Sequence, residues 1–82
     1  MKNRIRFGAL RRLLLDIGFR EFSDSQQIVF RHETSDTTFV FRAYRVNDPV
    51  TSYNVLEVKD MLASRGLMSA DAFEDEFSKA PA

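Results

Sequence analysis

The sequence predicts a two-layer α+β sandwich, ordered α-β-β-β-α, with three antiparallel strands and the helices on one face of the sheet. Three observations predict it. Segments near 6–17 and 52–65 repeat apolar residues at helical spacing, and each ends at a glycine. Between them lie short β-rich runs separated by short polar turns, the pattern of an antiparallel meander. The chain has 82 residues, enough for one domain over 1–82. Helices laid on one face of the sheet would let such a chain bury both kinds of element.

The first helix is expected over 6–17, where Leu10, Leu13, Leu14 and Ile17 form one apolar face and Phe7 extends it one turn back. Arg11, Arg12 and Asp16 lie beside or opposite that face, and Gly18 supplies a left-handed stop. A first strand is expected over 19–23, although Phe19 and Phe22 stand three apart and break strict alternation. Ser23-Asp24-Ser25 is a polar turn cluster. In a second strand over 26–32, Gln26, Ile28, Phe30 and His32 share one face, and Gln27, Val29 and Arg31 the other. Thr34-Ser35-Asp36 forms the next turn. A third strand over 37–43 places Phe39 and Phe41 on one face and Val40 and Arg42 on the other.

Asn47-Asp48-Pro49 marks a turn within the connection 44–51, because Pro49 fixes its own φ and disfavours helix at Asp48. The second helix is expected over 52–65, with Thr51 or Ser52 as N-cap and Val55, Val58, Met61 and Leu62 as its apolar face. Gly66 stops it, and Leu67 can make the apolar contact that accompanies such a stop. Ser69 can cap a short acidic helix at about 69–78. Its Phe73 and Phe77 form a narrow stripe that either folds back on the core, the favoured reading, or meets a partner. Ala80-Pro81-Ala82 is expected to fray.

Composition narrows the chemistry. No cysteine is present, which rules out disulfides and thiolate metal sites. No apolar run approaches the ~20 residues of a membrane span. The basic start, Met1-Lys2-Asn3-Arg4-Ile5-Arg6, leads into Arg11, Arg12 and Asp16 rather than a signal-peptide core, so a cytoplasmic protein is expected. Net charge is zero but unevenly spread: residues 1–45 carry nine cations and five carboxylates (+4), and 46–82 carry three and seven (−4). The basic half could face phosphates, or the two halves could complement each other within the fold or a dimer.

Candidate groups are few. His32 is the only histidine, and Ser23, Asp24 and Ser25 lie at the far end of its strand, roughly 20 Å away by strand rise. A surface role suits His32 better than catalysis. No metal-ligand spacing occurs, and Glu74-Asp75-Glu76 reads as a solvated face. Three scattered glycines give no phosphate loop or dinucleotide fingerprint, so no cofactor is expected. The candidates for RNA are Arg4, Arg6, Arg11 and Arg12 from the first helix region, and Arg31, Arg42 and Arg45 from the sheet and the loop after it. Arg31 and Arg42 act together only if register puts them on one face. Aromatic stacking is not expected, because most of the eight Phe fall at core positions.

Several stretches resemble the HicA-type toxins. Leu13-Leu14-Leu15-Asp16-Ile17-Gly18-Phe19 is similar to that family's leucine-rich helix and Gly-aromatic opening. Ser25-Gln26-Gln27-Ile28-Val29-Phe30-Arg31-His32 resembles its Gly-Ser-His-His-x-x-(aromatic)-Arg-His stretch. The run Val58 to Leu67, then Ser69-Ala70-Asp71-Ala72-Phe73, resembles its closing helix, Gly-Leu break and acidic-Phe tail. The likeness spans about 7–77. It implies a double-stranded-RNA-binding-like fold and a metal-independent ribonuclease held off by an antitoxin. In such an enzyme an imidazole would serve RNA's own 2′-hydroxyl attack.

The chain departs from that pattern at its centre. Asp24-Ser25-Gln26 stands where the family has Gly-Ser-His. Glutamine cannot exchange a proton near neutral pH, so Gln26 can position but not catalyse. Asp24 adds negative charge where phosphate would approach. His32 matches the family's trailing histidine, and the connection from Ala43 to Val50 replaces a shorter basic loop. The expectation is a HicA-like domain without catalysis, binding RNA or an antitoxin-like partner. The alternatives are an active ribonuclease using His32, and a protein-interaction module with no RNA role.

Overall fold

The structure, a computed structural model, describes residues 5–78. Met1–Arg4 and Lys79–Ala82 lie outside the described residues, and with them the expectations for Arg4 and the frayed end. The elements are α1 (Phe7–Asp16), β1 (Arg20–Ser23), β2 (Gln27–His32), β3 (Thr37–Arg42), α2 (Ser52–Ser64) and α3 (Ala70–Ser78). The sheet is antiparallel in the order β1-β2-β3. This is the expected α+β architecture.

Helix α1 buries Phe7, Leu10, Leu13 and Leu14, the face its spacing dictates. Its start has no side-chain cap. The Phe7 and Gly8 amides instead donate to the Asp48 and Val46 carbonyls, both at 2.8 Å. The 46–48 turn therefore satisfies two of the four donors that a helix start leaves over. Gly8 permits this approach, since a Cβ there would meet Val46 Cγ1 at 2.8 Å and Val46 O at 3.2 Å. At the other end Gly18 (φ 107°) donates to Leu15 O and Phe19 to Leu14 O. That paired closure ends the helix and throws Phe19 into the core. Gly66 and Leu67 close α2 in the same way.

In β2 and β3, Ile28, Phe30, Thr37, Phe39 and Phe41 point inward and are buried, as alternation requires. Strand β1 explains its own broken pattern. Phe19 precedes the strand and is buried, whereas Phe22 lies within it on the opposite face and is 52% exposed. Strand β2 starts one residue later than expected. Both the Gln26 and Gln27 amides donate to Asp24 Oδ1, at 2.8 and 2.9 Å, so Gln26 is held in the turn and not in the strand.

The core is a single cluster drawn from all the helices, β2, β3 and the connections. Phe7 stacks on Tyr44 with centroids 5.3 Å apart, and Phe19 stacks on Phe39 at 5.5 Å. Thr51 caps α2 by accepting from the Asn54 amide, and Ser69 accepts from Ala72 at the start of α3. Phe73 is buried against the core, and Phe77 packs on it at 5.0 Å. The α3 stripe thus folds back, and Phe73 cannot also serve as a free partner surface. All three helices contribute to the core on the side that Phe30, Phe39 and Phe41 face, and among the described residues no element covers the other face, where Phe22 and Val40 are exposed.

Candidate functional site

The two candidates for catalysis sit at opposite ends of β2, about 20 Å apart by strand rise. Gln26 is exposed at the β1–β2 turn. Its nearest titratable neighbour in the turn, Asp24, is committed to that turn's amides. The Gln26 amide first, then the Gln27 amide, holds the Asp24 carboxyl below its ordinary range. A group so stabilised as carboxylate is a poor proton donor.

His32 is half-buried at the inner end of β2, its ring 5.1 Å from the Phe19 ring. Nδ1 lies 2.8 Å from Ser35 Oγ and accepts from the Ser35 amide at 3.3 Å. Ser35 Oγ in turn meets Thr37 Oγ1 at 2.7 Å. On the far side of the ring, Gly18 stands where a Cβ would come within 3.3 Å of Nε2. The imidazole braces the β2–β3 turn against the end of α1, the arrangement of a structural histidine. Among the described residues no carboxylate orients it, so the triad logic of an activated Ser35 is incomplete. Among the described residues, no three His, Asp or Glu side chains gather as metal ligands.

Of the seven arginines expected at an RNA surface, the six among the described residues fall into separate groups. Arg11 and Arg12 line a shallow groove on the outer side of α1, with Arg6 and the loop residues Val46 and Asn47. Arg6 donates to the Asn47 carbonyl at 2.8 Å, and Arg11 pairs with Glu21 at 2.7 Å. Arg12 has no ionic partner among the described residues. Arg45 is exposed in the loop, where its amide donates to Asp48 Oδ2.

Arg31 and Arg42 do start from the same sheet face. Arg31 pairs with Thr38, and Arg42 with Gln27, so both belong to the outward set. Arg31 bonds Thr38 Oγ1 and Asp36 Oδ1, each at 2.7 Å, and lies 3.6 Å from Glu33. The Asp36 contact is the main reason its guanidinium pKa is raised and that of Asp36 lowered. Arg42 instead sets its guanidinium 4.4 Å over the Tyr44 ring.

Three exposed residues escaped sequence reasoning. Arg20 and Phe22 project outward from β1, and Val40 (54% exposed) from β3, so one of the phenylalanines does stand exposed on the surface. The signal was present in the i, i+2 spacing of Arg20 and Phe22, hidden by pairing Phe22 with Phe19.

A concavity of about 720 Å³ lies elsewhere, between β3's Arg42, the Pro49–Thr51 connection and the Val55–Lys59 stretch of α2. Lys59 at its rim is held by Glu74 of α3 at 2.6 Å. No helix among the described residues is long and apolar enough to cross a membrane. The chain matches no protein-family model, no curated protein and no solved structure.

Proposed function

We propose that this chain is a HicA-like, double-stranded-RNA-binding-like domain of the cytoplasm that holds RNA without cutting it. The observation that carries the reading is the pair of environments at the two ends of β2. Gln26 sits at the exposed turn with no proton to exchange and an Asp24 carboxylate beside it. The one imidazole is braced by Ser35 and Phe19 at the far end. The surface that supports RNA contact is the outer side of α1, where Arg6, Arg11 and Arg12 present three cations in one groove.

The test is incubation with labelled structured RNA across a salt series, read for shift and for cleavage. The expected result is a salt-sensitive shift without cleavage, weakened in an Arg11→Ala/Arg12→Ala double variant whose salt slope falls by roughly 1–2. Gain of cleavage by Gln26→His would identify a decayed nuclease. Cleavage by the unaltered protein that disappears in His32→Ala would establish the active-ribonuclease alternative instead.

A second reading, an interaction module held by an antitoxin-like partner, is favoured by the exposed Tyr53 (75%) and Leu56 (52%) on α2. Phe73 and Phe77 do not supply that surface. Absence of any RNA shift at low salt, with partner binding lost in Leu56→Asp, would select it.

A further inference from the structure

We infer that the uncovered face of the sheet is a platform for single-stranded RNA, with Phe22 as the ring on which a base stacks and Arg20 as its phosphate-facing cation. The inference rests on the RNA-related reading above and adds to it a surface on the opposite layer from α1.

Register builds the platform. Phe22, Val29 and Val40 are directly aligned across the three strands and form an apolar stripe through the middle of the face. The next row aligns Arg20, Arg31 and Thr38. Neighbouring strands are about 4.8 Å apart, so one row spans roughly 10 Å. A solvated sheet face ordinarily turns polar residues outward. Here a half-exposed phenylalanine stands on an edge strand, the place where apolar exposure is most hazardous.

The charged strand positions of this face carry cations only, and the turn carboxylates Asp36 and Glu33 offset the charge of Arg31 but not that of Arg20. No outward position of the three strands holds a carboxylate. Arg20 and Arg31 are opposed on adjacent strands, a like-charge pairing that weakens a sheet by itself. Asp36 and Glu33, reaching from the turn, steady Arg31. Arg20 has no ionic partner among the described residues and lies 6.0 Å over the Phe22 ring. An unpaired cation beside an exposed ring is complementary to a polyanion with bare bases.

A duplex could not use the ring, because its bases are stacked within the helix and its recognition runs through backbone shape. An unpaired strand offers every base as a π-face to an aromatic side chain, with arginine planes adding to the stack. Thr38 Oγ1 accepts from Arg31 and so keeps its own proton free to donate. Thr38 on one side of the apolar row and Gln27 on the other offer polar contacts of the kind a 2′-hydroxyl takes. A folded protein partner is the poorer fit, since three apolar side chains fall far short of the roughly 800 Å² per side of a stable interface.

The test is fluorescence anisotropy at low salt with a labelled unstructured uridine-rich RNA and a labelled RNA duplex. Phe22→Ala should weaken single-strand binding about tenfold and leave duplex binding within about twofold. Phe22→Trp should keep the affinity and show indole quenching only with the single strand. Phe22 is half-exposed, so both variants should fold, which circular dichroism checks.

If Phe22→Ala and Arg20→Ala leave single-strand affinity unchanged while Arg11→Ala/Arg12→Ala abolishes binding of both RNAs, the platform fails and the RNA reading survives. If neither RNA binds the unaltered protein, both fail. A Phe22-dependent dimer in sedimentation would show the face meeting a second copy and would overturn the proposal.

Discussion

His32 and Phe19 hold each other in place: the imidazole lies 5.1 Å from the phenyl ring, and Nδ1 is taken by Ser35 of the following turn. One side chain thereby joins the end of α1 to the β2–β3 turn. His32→Ala should destabilise the protein by about 1–3 kcal/mol, through lost packing and through Ser35 left without its acceptor. RNA binding, measured beside urea unfolding, should not change. An unchanged unfolding midpoint would mean that the ring is dispensable to the fold.

Gly18 lies under that imidazole with φ 107°. Gly18→Ala forces both a rare backbone conformation and a Cβ within 3.3 Å of Nε2. The expected loss is about 1–3 kcal/mol. Gly66→Ala, with φ 73° and nothing within 4 Å of the new Cβ, should cost less. The two unfolding midpoints, compared directly, check the order.

Helix α3 belongs to the core. Phe73 is 2% exposed, so Phe73→Ala should cost about 3–5 kcal/mol. A domain of this size holds roughly 5–10 kcal/mol in all. Deleting residues 69–82 should therefore unfold the remainder and not leave a truncated, partner-deficient domain. Loss of the cooperative melt and rapid proteolysis of the truncated chain are the readouts.

Acid should loosen both hairpin turns. Asp24 and Asp36 have folded-state pKa values below their ordinary ones, the first from turn amides and the second from Arg31. A carboxyl with a depressed folded pKa stabilises fully above its unfolded pKa, and that contribution disappears as pH falls through the folded value. Between pH 7 and the ordinary carboxylate range, neither group should alter stability. Below that range stability should fall, and the fall should be shallower in Asp24→Asn and Asp36→Asn. Unfolding curves collected at successive pH values give the slope.

Much of this fold was legible because the pattern is local. The α1 and α2 faces, the alternation in β3, the two glycine stops and the Thr51 and Ser69 caps all depend on residues within a few positions of each other. The start of β2 was misplaced because an aspartate side chain ended the ladder, which alternation cannot register. The α1 cap was invisible because it comes from carbonyls some forty residues away, at Val46 and Asp48. The RNA candidates split for the same reason. Which arginines share a surface is set by strand register and by carboxylates such as Glu21 and Asp36, neither of which sequence spacing encodes.

Tyr44 gives the loop after β3 a consequence of its own. Its ring stacks on Phe7, while its hydroxyl donates to Asn54 and accepts from the Thr51 amide. The end of β3, the opening turn of α2 and the start of α1 are thus fastened to one side chain. Amide exchange at Thr51 should report the whole molecule's opening and not a local fluctuation. Grafted sequence should be accepted at the exposed Glu33–Thr34 turn and rejected between Tyr44 and Thr51. The longest connection in the chain is also the one least free to change its length.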